Sequence, residues 1–389
     1  MKNLEGLIIK RKREEMGYKQ EYICKGICAV SYLSKIEKGS IVPSDEIIQK
    51  LTERLGITWF NEPDFIEKGK ELLEECYEAN LFGYRINDDV WKRLDEDKDN
   101  YMNSPLLIDY QICMVNRLNS LDSVSILELK DFMNNRQLYR AYLLTGIVQD
   151  DITLLEKARQ IERAPEVLNA MGFIKWRNGK YYEAIDHFLE AQELAEHKNY
   201  LALLMNINML LGHIYMEVHM PTMDKYYNKA LVISKVLGNK EVELMVYYHL
   251  GVAYTLTDFH KAEKNLLLCV ELCPKDDIDT LEKTFQKLCF LYLKHEIRDK
   301  ADNYYKAAIK YNKFKEVNEL ISIMLEDIDY IHKEEYLNKL VNIYKSSKKY
   351  RKFSNTKYYG EFLLVAYKAN RRYKDALAVM EFMYTNMIQ

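Results

Sequence analysis

Four small residues recur along the second half of the chain at a nearly constant pitch. Gly172, Gly212, Gly251 and Cys289 stand 40, 39 and 38 residues apart. Gly172 is followed at steps of twelve, four and three by Ala184, Phe188 and Ala191, and Cys289 by Ala301, Tyr305 and Ala308 at the same steps. Gly212/Tyr215/Ala230 and Gly251/Tyr254/Ala262 carry slipped versions, Leu364/Tyr367/Ala376 closes the series, and the segment 309–360 fits it poorly. A period of this length marks stacked supersecondary units, none of which buries its apolar face alone. The chain is also poor in turn formers, with 14 Gly and 6 Pro in 389 residues. That excludes an all-β or collagen-like protein and leaves an all-α one.

The spacing resembles the tetratricopeptide repeat, at a pitch above its usual 34 residues. The resemblance implies a right-handed superhelix of helical hairpins, with the first helix of each pair lining a concave side. Positions three before, one after and four or five after each anchor then face inward. They are Asn169, Phe173, Trp176 and Arg177 in the first copy, and Met209, His213, Met216 and Glu217 in the next, with Asn206 one turn earlier. Tyr248 and Val252, then Gln286 and Phe290, follow. Amide side chains carry both a donor and an acceptor for an extended peptide, and thioether and aromatic walls suit its apolar side chains. Asn169, Phe173, Trp176, Arg177, Asn206, Met209, His213, Tyr248, Gln286 and Phe290 are therefore the candidate peptide-binding residues.

The first sixty residues follow a different rule. They read as about five short helices, with stops at Gly17, Gly39 and Gly56 and a start at Pro43-Ser44-Asp45-Glu46, where Ser44 is the expected cap. They hold 11 Lys/Arg against 8 Asp/Glu, a net of +3 that leaves −6 for the remainder. Within them, "KQEYICKGICAVSYLSKIEKGSIVPS" resembles the helix-turn-helix of the Xre family of DNA-binding repressors. Gln20, Ser31, Ser34, Lys35, Ile36, Glu37, Gly39, Pro43 and Ser44 occupy the positions of that pattern. Lys19 stands where the family usually has Thr, so the hydroxyl cap of the first motif helix is missing. Ile23, Leu33, Ile36, Ile47, Ile48 and Leu51 have core spacing. Val30, Ser31 and Tyr32, with Lys35 one turn on, are the candidates for base edges in a major groove. Gln20, Lys38 and Ser40 are the candidates for phosphate. The expected domains are a DNA-binding head over 1–60, a linker over 61–67 and a repeat domain over 68–389.

Other chemistry is not signalled. Apolar runs such as Leu266–Val270 are far short of the ~20 residues of a spanning helix, and the N-terminus has no signal-peptide core. Seven cysteines fit reduced, mostly buried thiols. There is no H-E-x-x-H, no phosphate loop and no G-x-S-x-G motif, so neither a cofactor, a metal nor an enzymatic activity is expected.

A helix-turn-helix head of PlcR type joined to a tetratricopeptide-like body resembles the RRNPP family (Rap, Rgg, NprR, PlcR and PrgX), cytoplasmic receptors of Gram-positive bacteria and their mobile elements. The resemblance implies a quorum-sensing transcription regulator. It would bind double-stranded operator DNA as a homodimer, take a short signalling peptide in its groove, and have no membrane partner. The alternative is a repeat body that sequesters a protein partner. Phe382, Met383 and Tyr384, in the last helix, are expected to offer a dimer contact.

Overall fold

In the computed structural model, residues 4–82, 86–117, 123–349 and 353–388 are described, and among them there is no strand. The helices fall into two compact units, 1–174 and 175–389. The first opens with α1 (Leu4–Glu15), α2 (Gln20–Cys24), α3 (Val30–Glu37) and α4 (Asp45–Leu55). It continues with α5 (Pro63–Phe82), α6 (Asp88–Glu96), α7 (Lys98–Met102), α8 (Leu107–Arg117) and α9 (Ser123–Glu128). α10 (Asn135–Gln149), α11 (Ile152–Ile161) and α12 (Pro165–Arg177) follow, α12 running across the boundary.

The head holds four helices within its first sixty residues, and the fifth begins at Pro63, inside the span expected to be a linker. Gly17, Gly39 and Gly56 stop their helices with positive φ, as their spacing predicts. Ser44 takes the N-cap position of α4 without using its hydroxyl there, and Lys19 precedes α2 with no side-chain cap. Nor does the head stand apart. Ile8, Ile9, Ile23, Leu33, Ile36 and Leu51 share one apolar core with Tyr77, Leu107, Ile108 and Leu144 of the following helices. Arg11 Nη2 donates to the Met102 carbonyl at 2.8 Å, and the Phe60 amide to the Asn103 carbonyl at 3.0 Å.

The second unit comprises α13 (Tyr181–Lys198), α14 (Leu201–Val218), α15 (Met220–Leu237), α16 (Lys240–Tyr254), α17 (Phe259–Leu272), α18 (Ile278–Lys294) and α19 (Arg298–Ala308). α20 (Lys315–Glu326), α21 (Glu334–Lys349), α22 (Phe353–Ala369) and α23 (Tyr373–Ile388) complete it. The repeat anchors lie where the pairs α14/α15, α16/α17 and α18/α19 cross. At Gly212 a Cβ would fall 2.6 Å from the Tyr227 ring, and at Gly251 a Cβ would fall 2.6 Å from Leu266 Cγ. Their partners Ala230, Ala262 and Ala301 are fully buried, and the Cys289 thiol donates to the Ala301 carbonyl. The poorly fitting segment is still a helix pair, α20 and α21, with a short first member and a 3-10 turn between them.

One apolar core runs from Met205 to Val379. Phe382 and Met383 are half-buried against that core, with the Lys348 ammonium 3.4 Å above the Phe382 ring. The side chain of Tyr384 lies outside the described residues.

Gly212→Ala and Gly251→Ala each force a methyl group into a close helix crossing. Each is expected to cost about 1–3 kcal/mol in urea denaturation, despite the better helix propensity of Ala. Full stability in either variant would show that the crossing has room to spare.

Candidate functional site

In the head, one buried carboxylate organises the reading helix. Glu37 accepts from Arg13 Nε at 2.7 Å and Nη2 at 3.0 Å, and from Gln20 Nε2 at 2.7 Å. Arg13 Nη1 also donates to the Tyr18 carbonyl. The acid that ends α3 thereby holds α1, α2 and the turn before α2. Gln20, half-buried, also braces the motif from within through its bond to Glu37. Val30, Ser31 and Lys35 are exposed on α3, and Lys38 and Ser40 are exposed just beyond it. Tyr32 is half-buried and leans on the head's core. The five exposed residues include two cations, Lys35 and Lys38.

In the body, the inward register brings aromatic groups into a row. The Trp176 and His213 rings lie 5.2 Å apart at 80°, His213 and His249 4.6 Å apart at 83°, and Tyr248 adjoins His249 at 5.5 Å. Asn206, Met209, His213 and Tyr248 are half-buried, and Arg177 is exposed. Asn169 and Phe173 sit on α12 in the first unit, where Asn169 Oδ1 is buried with no donor among the described residues and Phe173 is exposed.

One expected groove residue is corrected. Phe290 is fully buried, its ring 5.2–6.0 Å from those of Phe362, Tyr358 and Tyr359 on α22. Gln286 is buried too, its amide donating to Asn318 Oδ1 at 2.8 Å and the Phe314 carbonyl at 3.3 Å. Phe290 is covered by α22, which lies on a position expected to be the wall of an open groove, whereas Gln286 is engaged by Phe314 and Asn318 and still lines a cavity. Lys357 on α22 also donates to the Met216 carbonyl at 3.3 Å, tying it to α14. The repeat spacing reports which side chains turn inward, and it carries nothing about a later helix covering them.

The sequence reading also passed over three polar groups: His249, Asn208 and Lys287. Asn208 is buried with Oδ1 unmet, while its Nδ2 donates to the Leu204 carbonyl. Lys287 is 3 % exposed, with no acceptor for its ammonium among the described residues. A charged residue inside the apolar run Phe285–Leu293 was the available signal. In the first unit, a cavity of about 230 Å³ between α5, α8 and α10 holds an ion-pair network. There Glu74 pairs with Arg136 and Arg140, and Arg140 lies 3.8 Å above the Tyr77 ring.

The paired imidazoles are held neutral. Burial pushes the His213 pKa down to about 4, and His249 is lowered well below the ordinary value by burial first and then by repulsion from His213. A lowered imidazole pKa means that the unfolded chain binds more protons between that value and about 6.5. This contribution is complete above pH 6.5 and is lost as pH falls through the folded-state value. Between pH 7 and 4.5 the wild type is therefore expected to lose roughly 1–3 kcal/mol more stability than His213→Gln in urea titrations. Equal losses would place neither ring in a dry site.

Residues 9–60 match the helix-turn-helix family model. No curated protein sequence matches the chain. Among solved structures, the chain is similar to a Rap protein complexed with competence and sporulation factor, at 14% identity and TM-score 0.56, over 82% of this chain and 97% of that one. It is similar to the apo quorum sensor NprR from B. thuringiensis at 15% identity and TM-score 0.55, over 82% and 99%. It is also similar to apo RapI at 14% identity and TM-score 0.59, over 82% and 96%. At such identities the likeness is one of fold. The chain joins an N-terminal helix-turn-helix domain to a helical repeat body built like those of Rap and NprR.

Proposed function

We propose that this chain is a cytoplasmic, peptide-responsive regulator of transcription of the RRNPP kind. The observation that carries the reading is the joining, in one chain, of a helix-turn-helix head to the repeat fold of Rap and of the quorum sensor NprR. In this reading α3 enters the major groove of operator DNA, with Val30, Ser31, Tyr32 and Lys35 at base edges and Lys38 and Ser40 at phosphates. Two copies read two half-sites. Tyr373, Leu377 and Met380, exposed one turn apart on α23, support self-association.

The peptide site is the inner face of the second unit around Asn206, Met209, His213 and Tyr248. There neutral imidazoles and amides can pair with a peptide backbone between aromatic walls. A bound peptide changes operator affinity only through a difference in its own affinity for the two arrangements of the protein.

A reporter driven by the protein's own promoter separates the two halves of the proposal. Lys35→Ala is expected to lose regulation with or without secreted culture factors. Asn206→Ala is expected to keep the peptide-free level and lose the response to those factors. A normal response in Asn206→Ala would remove that residue from the site, and full regulation in Lys35→Ala would remove α3 from the DNA interface.

A further inference from the structure

Among the described residues of the second unit, Lys287 is a buried cation without an acceptor. Its Nζ sits 3.3 Å from the centroid of the Tyr358 ring and 4.6 Å from that of Tyr359, both on α22. Two aromatic faces attract an ammonium, but they leave its three N–H donors without acceptors. The nearby buried carboxylate is already taken. Glu282 accepts from the backbone amides of Lys313 and Phe314 at 2.8 and 3.0 Å and from Asn318 Nδ2 at 2.9 Å. Isolated in this way, Lys287 has its pKa lowered well below the ordinary value by burial alone. A buried charge without a partner is among the most costly groups a core can hold.

The same side chain lines a cavity of about 200 Å³ between α18, α20, α21 and α22. Tyr248, Phe314 and Tyr359 wall it, and Gln286, Ser346 and Asn355 add polar groups. A second cation, Lys283, lines it together with the exposed carboxylate of Glu316, which is opposite in charge. That volume is below the roughly 300–1,000 Å³ of sites that enclose a whole small molecule, so it suits one residue of a longer ligand.

We propose that this cavity is an anion subsite, in which the Lys287 ammonium pairs with a carboxylate of a bound peptide, either its C-terminal group or an Asp or Glu side chain. The inference deepens the peptide-receptor reading and rests on it. Pairing would supply the missing acceptor, restore the ammonium charge and fasten α22 to α18 through a common ligand.

The test uses the full chain and single-residue probes, so it does not depend on knowing the peptide. N-acetyl-leucine carries the carboxylate, N-acetyl-leucinamide replaces it with a neutral amide, and inorganic phosphate represents the other common anion. Calorimetric titration is expected to show N-acetyl-leucine binding at least about tenfold more tightly than the amide, a difference of about 1.4 kcal/mol. In Lys287→Met that preference is expected to vanish, while the thermal midpoint stays at or above that of the wild type because a buried amine without an acceptor has been removed.

Equal binding of acid and amide, or a preference that survives in a folded Lys287→Met, overturns the proposal. Phosphate binding more tightly than N-acetyl-leucine overturns the carboxylate assignment. If Lys287→Met fails to fold, the comparison of acid with amide on the wild type alone decides. None of these failures touches the peptide-receptor reading, which the promoter reporter decides independently.

Discussion

The body depends on how closely its paired helices approach. Gly212 against Tyr227, Gly251 against Leu266 and Cys289 against Ala301 are contacts that admit no larger side chain on the anchor. They set the crossing within each pair, and the crossing decides which faces of α14, α16 and α18 turn inward. Everything proposed for the site follows from that register: the imidazole pair, the amides of α14 and the position of Lys287 beneath α22. Because each pair buries only part of its apolar surface, the stack closes by continuing, and one core extends from Met205 to Val379.

Buried charge marks the two places where function is proposed, and in opposite ways. Glu37 in the head is saturated by Arg13 and Gln20, so it acts as a brace that fixes α3 for whatever α3 presents. Glu282 in the body is likewise saturated and caps the start of α20. Lys287, one and a half turns along α18, is not. A fully satisfied polar group makes a structure specific, whereas an unsatisfied one leaves a free-energy difference that a ligand can close. The head also shares its core with Tyr77, Leu107 and Leu144, so any rearrangement that moves the head must involve α5, α8 and α10.

Much of this was legible in the residues. Small side chains at a pitch of 38–40 specify close helix crossings wherever they occur, because the requirement is local to each pair. The run from Gln20 to Ser44 specified the helix-turn-helix for a similar reason: its stops and core spacings act within a few turns. What stayed hidden depends on contacts distant in sequence. Nothing around Gln20 announces that its amide will be taken by Glu37. Nothing around Phe290 announces that Tyr358, Tyr359 and Phe362, some seventy residues on, will cover it. Within the span 61–67 expected as a linker, Asn61-Glu62-Pro63 has the composition of a hinge. Pro is equally suited to the first position of a helix, and α5 begins there.

Linkage between the two parts is the central claim, and equilibrium binding measures it directly. Fluorescence anisotropy of a labelled duplex from the protein's own promoter region gives the operator affinity of the purified full chain at fixed salt. The account predicts that the low-mass peptide fraction of spent culture medium changes that affinity by about 5–150-fold, corresponding to a coupling of about 1–3 kcal/mol. Tight duplex binding that is identical with and without the fraction would contradict it.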